Sequence, residues 1–178
     1  GDYARFLTNA AIRLPALGAD GAERASAAAQ QLPAFVSGKW AEDYACPALA
    51  DTARKLSANP QDSSARLCLG VFWRLNDFDP VDLGEGRPAK DELGGAVDDY
   101  PGKAMTRASL YDAVIADPRA PAADKAYALY RAINCYGPSG YNGCGGADAT
   151  KPQRRAWFQR LKRDYAASPW SRKQSIYW

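Results

Sequence analysis

Proline-containing turns divide this chain into short helical segments, and this division limits the folds that it can adopt. At three junctions an apolar helical stretch ends, the chain turns at or near a proline, and a second stretch begins. The junctions are "LSANPQDSSARL", "VIADPRAPAADKAYAL" and "LKRDYAASPWSRK", with turns at Pro60, Pro118 and Pro169. Alanine is abundant and strand-like alternation is scarce. The sequence therefore predicts an all-α fold.

Each predicted helix carries its apolar residues on one face. "PALADTARKLSANP" places Leu49, Ala53 and Leu56 together, and "QDSSARLCLGVFWRL", with Asp62 or Ser63 as its cap, does the same with Phe72. A single pair of helices cannot bury such a stripe alone, so neighbouring pairs are expected to stack. The sequence therefore predicts stacked antiparallel helix hairpins, with the terminal "IYW" packed back onto the preceding helix.

The spacing of the three turns suggests a repeat with two insertions. The prolines are 58 and 51 residues apart. If an acidic loop over residues 76–103 and a glycine-rich loop between Cys135 and Cys144 are subtracted, both spacings approach the ~34 residues of a tetratricopeptide unit. We interpret both loops as insertions between the two helices of a repeat.

Two segments carry a family resemblance. "LSANPQDSSARLCLG" and "RAWFQRLKRDYAASPWSRKQSIYW" resemble tetratricopeptide repeats. The second is similar to degenerate repeats of bacterial envelope proteins, in which an aromatic-rich helix ends in a tyrosine and a short turn leads to "S-P-W". The resemblance implies a TPR-like α-solenoid over residues 46–178, preceded by an N-terminal helical segment over residues 1–45. We expect the two parts to form one continuous domain.

Charge is unevenly distributed along the chain. The net charge of +3 is too small to indicate nucleic-acid binding, and no apolar run is long enough to span a membrane. No signal peptide is visible. Residues 77–99 are strongly acidic and residues 151–173 strongly basic. These stretches are either solvated faces that meet each other or docking surfaces for an oppositely charged partner.

The four cysteines favour disulfides over a metal site. Cys135 and Cys144 enclose a loop rich in glycine and proline, with a tight turn predicted at Asn142-Gly143, and a disulfide there would contribute about 2.5–3 kcal/mol. Cys46 and Cys68 then pair by elimination, with Cys46 in a bend before Pro47, or remain buried thiols. The close cysteine pairs of zinc sites are absent. Disulfides would place the protein in an oxidising compartment, periplasmic or secreted.

The absence of histidine argues against common catalytic arrangements. Serine–histidine and cysteine–histidine catalysis cannot be built from this chain. Carboxylates at Glu42 and Asp43, or Glu92 and Asp98, could form a glycosidase pair, but no sequence feature marks them as shielded. We expect no enzyme activity and no cofactor. A weak calcium candidate lies in the acidic loop at Asp77, Asp79, Asp82 and Glu85, where a solvated loop is the alternative.

The predicted function is protein binding. The sequence predicts a non-enzymatic interaction or scaffold module of the bacterial cell envelope, with a groove for an unknown protein partner or peptide. The candidate contact residues are Tyr136, Tyr141, Arg131 and Lys125, and Tyr44 is a further aromatic candidate. For all three tyrosines the alternative is packing beneath their own loops. Two other readings stay open: an accessory helical domain of a cell-wall (peptidoglycan) enzyme, and an inhibitor or immunity protein.

Overall fold

The computed structural model describes residues 39–76 and 105–178, and the described chain is helical, as the sequence predicts. Six helices lie in these ranges, and no strand is found within them. They are α1 (Leu49–Ala58), α2 (Ser63–Leu75), α3 (Arg107–Ala116), α4 (Ala122–Ile133), α5 (Lys151–Asp164) and α6 (Pro169–Lys173).

Side-chain oxygens cap the beginnings of four of these helices. The predicted cap of α2 is confirmed at Asp62, which accepts a hydrogen bond from the Ala65 backbone N–H. Thr106 and Ser109 form a reciprocal capping box at α3. Thr150 and Ser168 cap α5 and α6, each followed by a proline in the first turn. Local sequence therefore fixes where these helices begin.

Helix α4 lies at the centre of the packing. Each of the first five helices contacts the next one in the chain, and α4 also contacts α2 and α6. The aromatic rings of Tyr111 and Tyr127 are fully buried in the main core, and Leu161 is the buried residue of α5. A second core cluster joins Leu49 and Ala53 of α1 to residues of α2 and α3. The faces of α2, α4 and α6 thus lie next to one another.

The C-terminal residues pack less completely than the sequence predicts. Tyr177 contacts Phe158, with 5.3 Å between the ring centroids. Ile176 and Trp178, however, remain 48% and 41% exposed. The prediction that "IYW" as a whole enters a core contact is therefore wrong for these two residues. Tyr177 packs against the main core, whereas Trp178 reaches α5 through its backbone carbonyl, which accepts a hydrogen bond from Arg154.

Several predictions concern residues outside the two described ranges. These are the acidic loop with its calcium candidates and most of the N-terminal segment before residue 39. Among the described helices, none is long and apolar enough to cross a membrane.

A candidate peptide-binding face formed by helices α2, α4 and α6

Residues 39–46, which we call the strap, cross the adjoining faces of α2, α4 and α6. This segment forms no helix, so within the N-terminal segment predicted over residues 1–45 the stretch "KWAEDYAC" is a linker, one of the two possibilities that its sequence allows beside a short helix. Lys39, at the start of the strap, contacts Asn76 at the end of α2, and Cys46, at the end of the strap, is paired with Cys68 nearer the beginning of α2. The strap therefore runs antiparallel to α2. We call the surface that it contacts the strap face.

A pair of cysteines fixes one end of the strap. The sulfur atoms of Cys46 and Cys68 lie 2.19 Å apart, at disulfide distance, and the Cα atoms are 5.5 Å apart. Cys46 precedes Pro47 in an irregular stretch before α1, as the sequence predicts. Cys68 is buried in α2, whereas Cys46 is only half-buried.

The other end of the strap is held by a backbone contact. The Lys39 backbone N–H donates to Oδ1 of Asn76 at 3.1 Å, and Nδ2 of Asn76 donates to the Lys39 carbonyl at 2.7 Å. One side-chain amide thus satisfies both backbone groups of a single residue, as a neighbouring β-strand would. This contact recognises an extended backbone without regard to its side chain.

Two acidic side chains in the middle of the strap meet cations from all three helices. Glu42 pairs with Arg74 of α2 and lies 3.4 Å from Arg131 of α4. Asp43 lies 3.0 Å from Arg131 and 3.4 Å from Lys173 of α6. The Arg131 side chain is only 9% exposed, so its charge depends on these carboxylates for compensation.

Tyr44 provides the aromatic anchor of the strap. Its ring stacks on Tyr127 with 4.3 Å between centroids, and its hydroxyl donates to Asp124 at 2.8 Å. Asp124 also accepts from the hydroxyl of Ser63 at 2.6 Å, and it lies in the first turn of α4, where the helix dipole favours an anion. Burial and the hydrogen bond to Asp124 raise the pKa of Tyr44 well above its ordinary value.

Aromatic rings of α4 and α6 pack against the side chains that make these contacts. The Arg131 guanidinium lies 5.2 Å from the Tyr127 ring centroid and 5.1 Å from that of Tyr130, and its Nε donates to the Tyr127 hydroxyl at 3.0 Å. Trp170 of α6 packs against both tyrosine rings. Burial raises the pKa of Tyr127 to about 12, although Arg131 partly opposes this shift. The strap face therefore combines fixed cations, a stacking platform and a backbone-binding amide.

The loop between Cys135 and Cys144 is built differently. Its sulfur atoms lie 2.02 Å apart, and both cysteines are buried. The chain reverses at Pro138-Ser139, with Gly140 at φ +79°, and Tyr136 pairs with Asn142 as an isolated antiparallel bridge. The tight turn predicted at Asn142-Gly143 corresponds to a second turn over Gly143 and Cys144, where Oδ1 of Asn142 accepts from the Cys144 backbone N–H at 3.0 Å.

The four predicted contact residues occupy different environments. Tyr136 is buried, its hydroxyl accepts from the Ala149 N–H at 2.6 Å, and Arg154 lies over its ring. Arg131 is buried beneath the strap. Tyr141 is 73% exposed at the loop, and Lys125 donates to the Pro118 carbonyl at 3.2 Å. The structure therefore does not bring these four residues together as one exposed surface.

The candidate carboxylates Glu42 and Asp43 both form ion pairs with cations of the strap face. Within residues 39–76 and 105–178, no group of three potential metal-ligating side chains is found. Asp98, Glu92 and the calcium candidates lie outside these ranges.

Several residues of the strap face carry no clear signal in the sequence. Asn76, Asp124 and Lys173 lie in three different helical segments, and each contacts a strap residue that is 37 or more positions away. The one local hint is the composition of "WAEDYAC", which combines two acids with aromatic residues and a cysteine.

We compared the chain with protein-family models, with curated proteins and with solved structures, and no match was found in any of the three comparisons. The functional argument therefore depends on the geometry of the strap face itself.

Proposed function

We propose that this protein is a non-enzymatic helical-repeat module of the bacterial cell envelope that binds another protein through a non-helical segment. The single observation that carries the proposal is the strap face, where three helices hold a non-helical segment, bent at residues 42–44, by its backbone, its acidic side chains and one tyrosine. Stacked helices of repeat proteins form concave surfaces that serve as binding sites.

The order of helix contacts supports a repeat architecture. Alternate helices α2, α4 and α6 form one contiguous layer, because α4 contacts both of the others in addition to its chain neighbours. A TPR-like solenoid has such a layer on its concave side, and the resemblance of two segments to tetratricopeptide repeats points the same way. We therefore propose that the strap face is the inner surface of a short solenoid.

The cysteine pairs support an extracytoplasmic location. Both pairs lie at disulfide distance, and no cysteine of the chain is left without a partner. Disulfides persist in oxidising compartments, so we propose that the protein works in the periplasm or outside the cell.

Site-specific photocrosslinking in native envelope preparations tests the proposed function. A photoreactive residue at position 172 takes the place of exposed Arg172 on α6, beside Lys173 of the strap face, and one at position 54 on α1 replaces exposed Arg54 as the matched control. We expect one discrete crosslinked protein at position 172 and none at position 54. Identical adducts at both positions, none at either, or hydrolysis of peptidoglycan by the purified chain in a zymogram would contradict the proposal.

A further inference from the structure

We propose that the strap face is a binding site for a non-helical acidic peptide of the type Glu-Asp-Tyr, bent at these three residues as the strap is. We propose further that the strap occupies this site as an intramolecular ligand and that the Cys46–Cys68 disulfide keeps it occupied. This inference rests on the proposed protein-binding function, because it names the chemistry of the ligand and the control of the site.

The strap is held by the kinds of contact that hold a ligand. Its backbone is bound by one side-chain amide, and its charges are matched by exposed and buried cations. Its apolar anchors are two aromatic rings: Tyr44 stacks on Tyr127, and Trp40 packs against the second core cluster. Ala41, Glu42 and Ala45 remain exposed. The strap lies on the surface of the two core clusters, and an equivalent peptide could make the same polar and aromatic contacts.

The spacing of the contacts defines the ligand. Two successive carboxylates must reach Arg74, Arg131 and Lys173, which together span α2, α4 and α6. The next residue must stack on Tyr127 and donate a hydroxyl hydrogen bond to Asp124. Phenylalanine at this position would stack without satisfying Asp124, so tyrosine is specified. The Asn76 contact adds only a requirement for extended backbone.

The Cys46–Cys68 disulfide, which we call the latch because it keeps the strap on its site, is the more accessible of the two cysteine pairs. Cys46 is half-buried, whereas Cys68, Cys135 and Cys144 are all buried. A dithiol reductant opens it in two steps that balance: a thiolate of the dithiol attacks the Cys46 sulfur and forms a mixed disulfide, and Cys68 leaves as a thiolate that takes up a proton. The second thiol of the reductant then displaces Cys46, so that two protein thiols and an oxidised dithiol result.

Peptide binding to the full chain tests the proposal directly. The probe is a fluorescent peptide with the strap sequence Lys-Trp-Ala-Glu-Asp-Tyr-Ala-Ser, in which serine replaces the cysteine. Four proteins are compared: the oxidised wild type, the Cys46→Ser/Cys68→Ser double variant, this variant with Glu42→Gln and Asp43→Asn added, and the same four-fold variant with Arg131→Gln. Far-UV circular dichroism confirms that each is helical.

Binding of the fluorescent peptide is expected to increase from the first to the third of these proteins and to be lost in the fourth. The oxidised wild type should bind no peptide. The double variant should bind weakly, because its tethered strap still competes at an effective concentration of roughly millimolar. Neutralising Glu42 and Asp43 in the strap should tighten peptide binding by about ten-fold or more, and loss of Arg131 should abolish it. An Arg155→Gln substitution on exposed α5 is the charge-matched control and should leave binding unchanged.

Three outcomes would overturn the proposal. The first is no binding by the variant with the neutralised strap. The second is equal binding of a control peptide with Gln-Asn in place of Glu-Asp. The third concerns the unmodified wild type: on reduction by dithiothreitol, hydrogen exchange should accelerate at residues 40–46 while α2 and α4 stay protected, and loss of protection throughout α2 and α4 would show that the disulfide holds the fold and not a ligand.

Failure of this inference and failure of the proposed function are distinguishable. A crosslinked envelope partner without peptide binding would leave the module a protein binder that uses another surface. Peptide binding without any envelope partner would leave the site intact and remove the proposed function.

Discussion

The strap and the Cys135–Cys144 loop are both irregular segments closed by a cysteine pair, yet they are held in opposite ways. The loop is fixed by buried groups: Tyr136, Cys135 and Cys144 are all part of the main core. The strap is fixed by ion pairs, one stacked ring and an amide at its margin. A covalent link of the same kind therefore completes a packed core in one region and retains an exchangeable polar segment in the other. The comparison teaches that a disulfide alone does not reveal which role its segment has.

The largest difference between the two regions should appear on truncation of their tyrosines. Tyr136→Ala should lower the free energy of unfolding by about 3–5 kcal/mol, because it removes a buried ring and leaves the Ala149 N–H without its acceptor. Urea denaturation followed by circular dichroism measures this. Tyr141→Ala, at the exposed side of the same loop, is the control and should stay within about 0.5 kcal/mol of the wild type. Equal losses would mean that the loop is not anchored through Tyr136.

Removal of the strap disulfide should have a smaller and more local effect. Cys46→Ser/Cys68→Ser should cost about 3 kcal/mol on the chain-entropy model, given the sequence separation of 22 residues. Hydrogen exchange should accelerate more at residues 40–46 than in α3–α5, because the strap contacts the main core only through Tyr44 and Cys46. In the wild type, mass spectrometry during titration with dithiothreitol should show this disulfide reduced before Cys135–Cys144; the reverse order would contradict the assignment of the latch.

Alkaline pH should weaken the strap face before it affects the loop. The pKa of Tyr127 is raised by burial from 10.0 to about 12, and that of Tyr44 is also raised. A phenol with a raised pKa in the folded state stabilises the fold fully below pH 10, and this stabilisation is lost as the pH rises from 10 toward 12. For Tyr127 the loss amounts to about 2–3 kcal/mol. Thermal melts across this range should show a shallower decline for Tyr127→Phe, whereas Tyr141→Phe should follow the wild-type curve.

The smallest of the expected effects tests the backbone of the Cys135–Cys144 region. Gly146 has φ +81°, and a Cβ there would meet Oγ1 of Thr106 at 2.9 Å. Gly146→Ala should therefore cost about 1–2 kcal/mol through backbone strain and displacement of the α3 cap. Gly137→Ala is the matched control, because its backbone does not have a positive φ and no atom lies within 4 Å of the added Cβ. A thermal melt distinguishes them, and an equal shift would rule out the steric explanation.

Much of the fold is predictable because it is encoded locally. The prolines and the cap at Asp62 mark the helix ends, and the apolar stripes identify the faces that meet. The cysteine pairing follows from elimination and is found in the structure at disulfide distance. These features depend on neighbouring residues or on a very small number of possible pairings.

The strap face is not predictable in the same way. Arg131 reads as an exposed contact residue because it is a cation near the end of an amphipathic helix, yet its burial depends on Asp43, 88 residues earlier. For Tyr136 the sequence allows either a surface contact or packing beneath its own loop, and in the structure it is buried with its hydroxyl bonded to the Ala149 N–H. The hydrophobic periodicity of the sequence does not reveal such pairings, because each is a single contact between segments that are far apart in the chain.

The double hydrogen bond between Lys39 and Asn76 has a topological consequence. Residues 39–76 return to their own starting point, so the unit made of the strap, α1 and α2 is closed upon itself. Because Lys39 and Asn76 lie together, a change in chain length outside this unit need not separate the strap from α2. Helix α2 itself stays joined to the rest of the fold through α3 and α4.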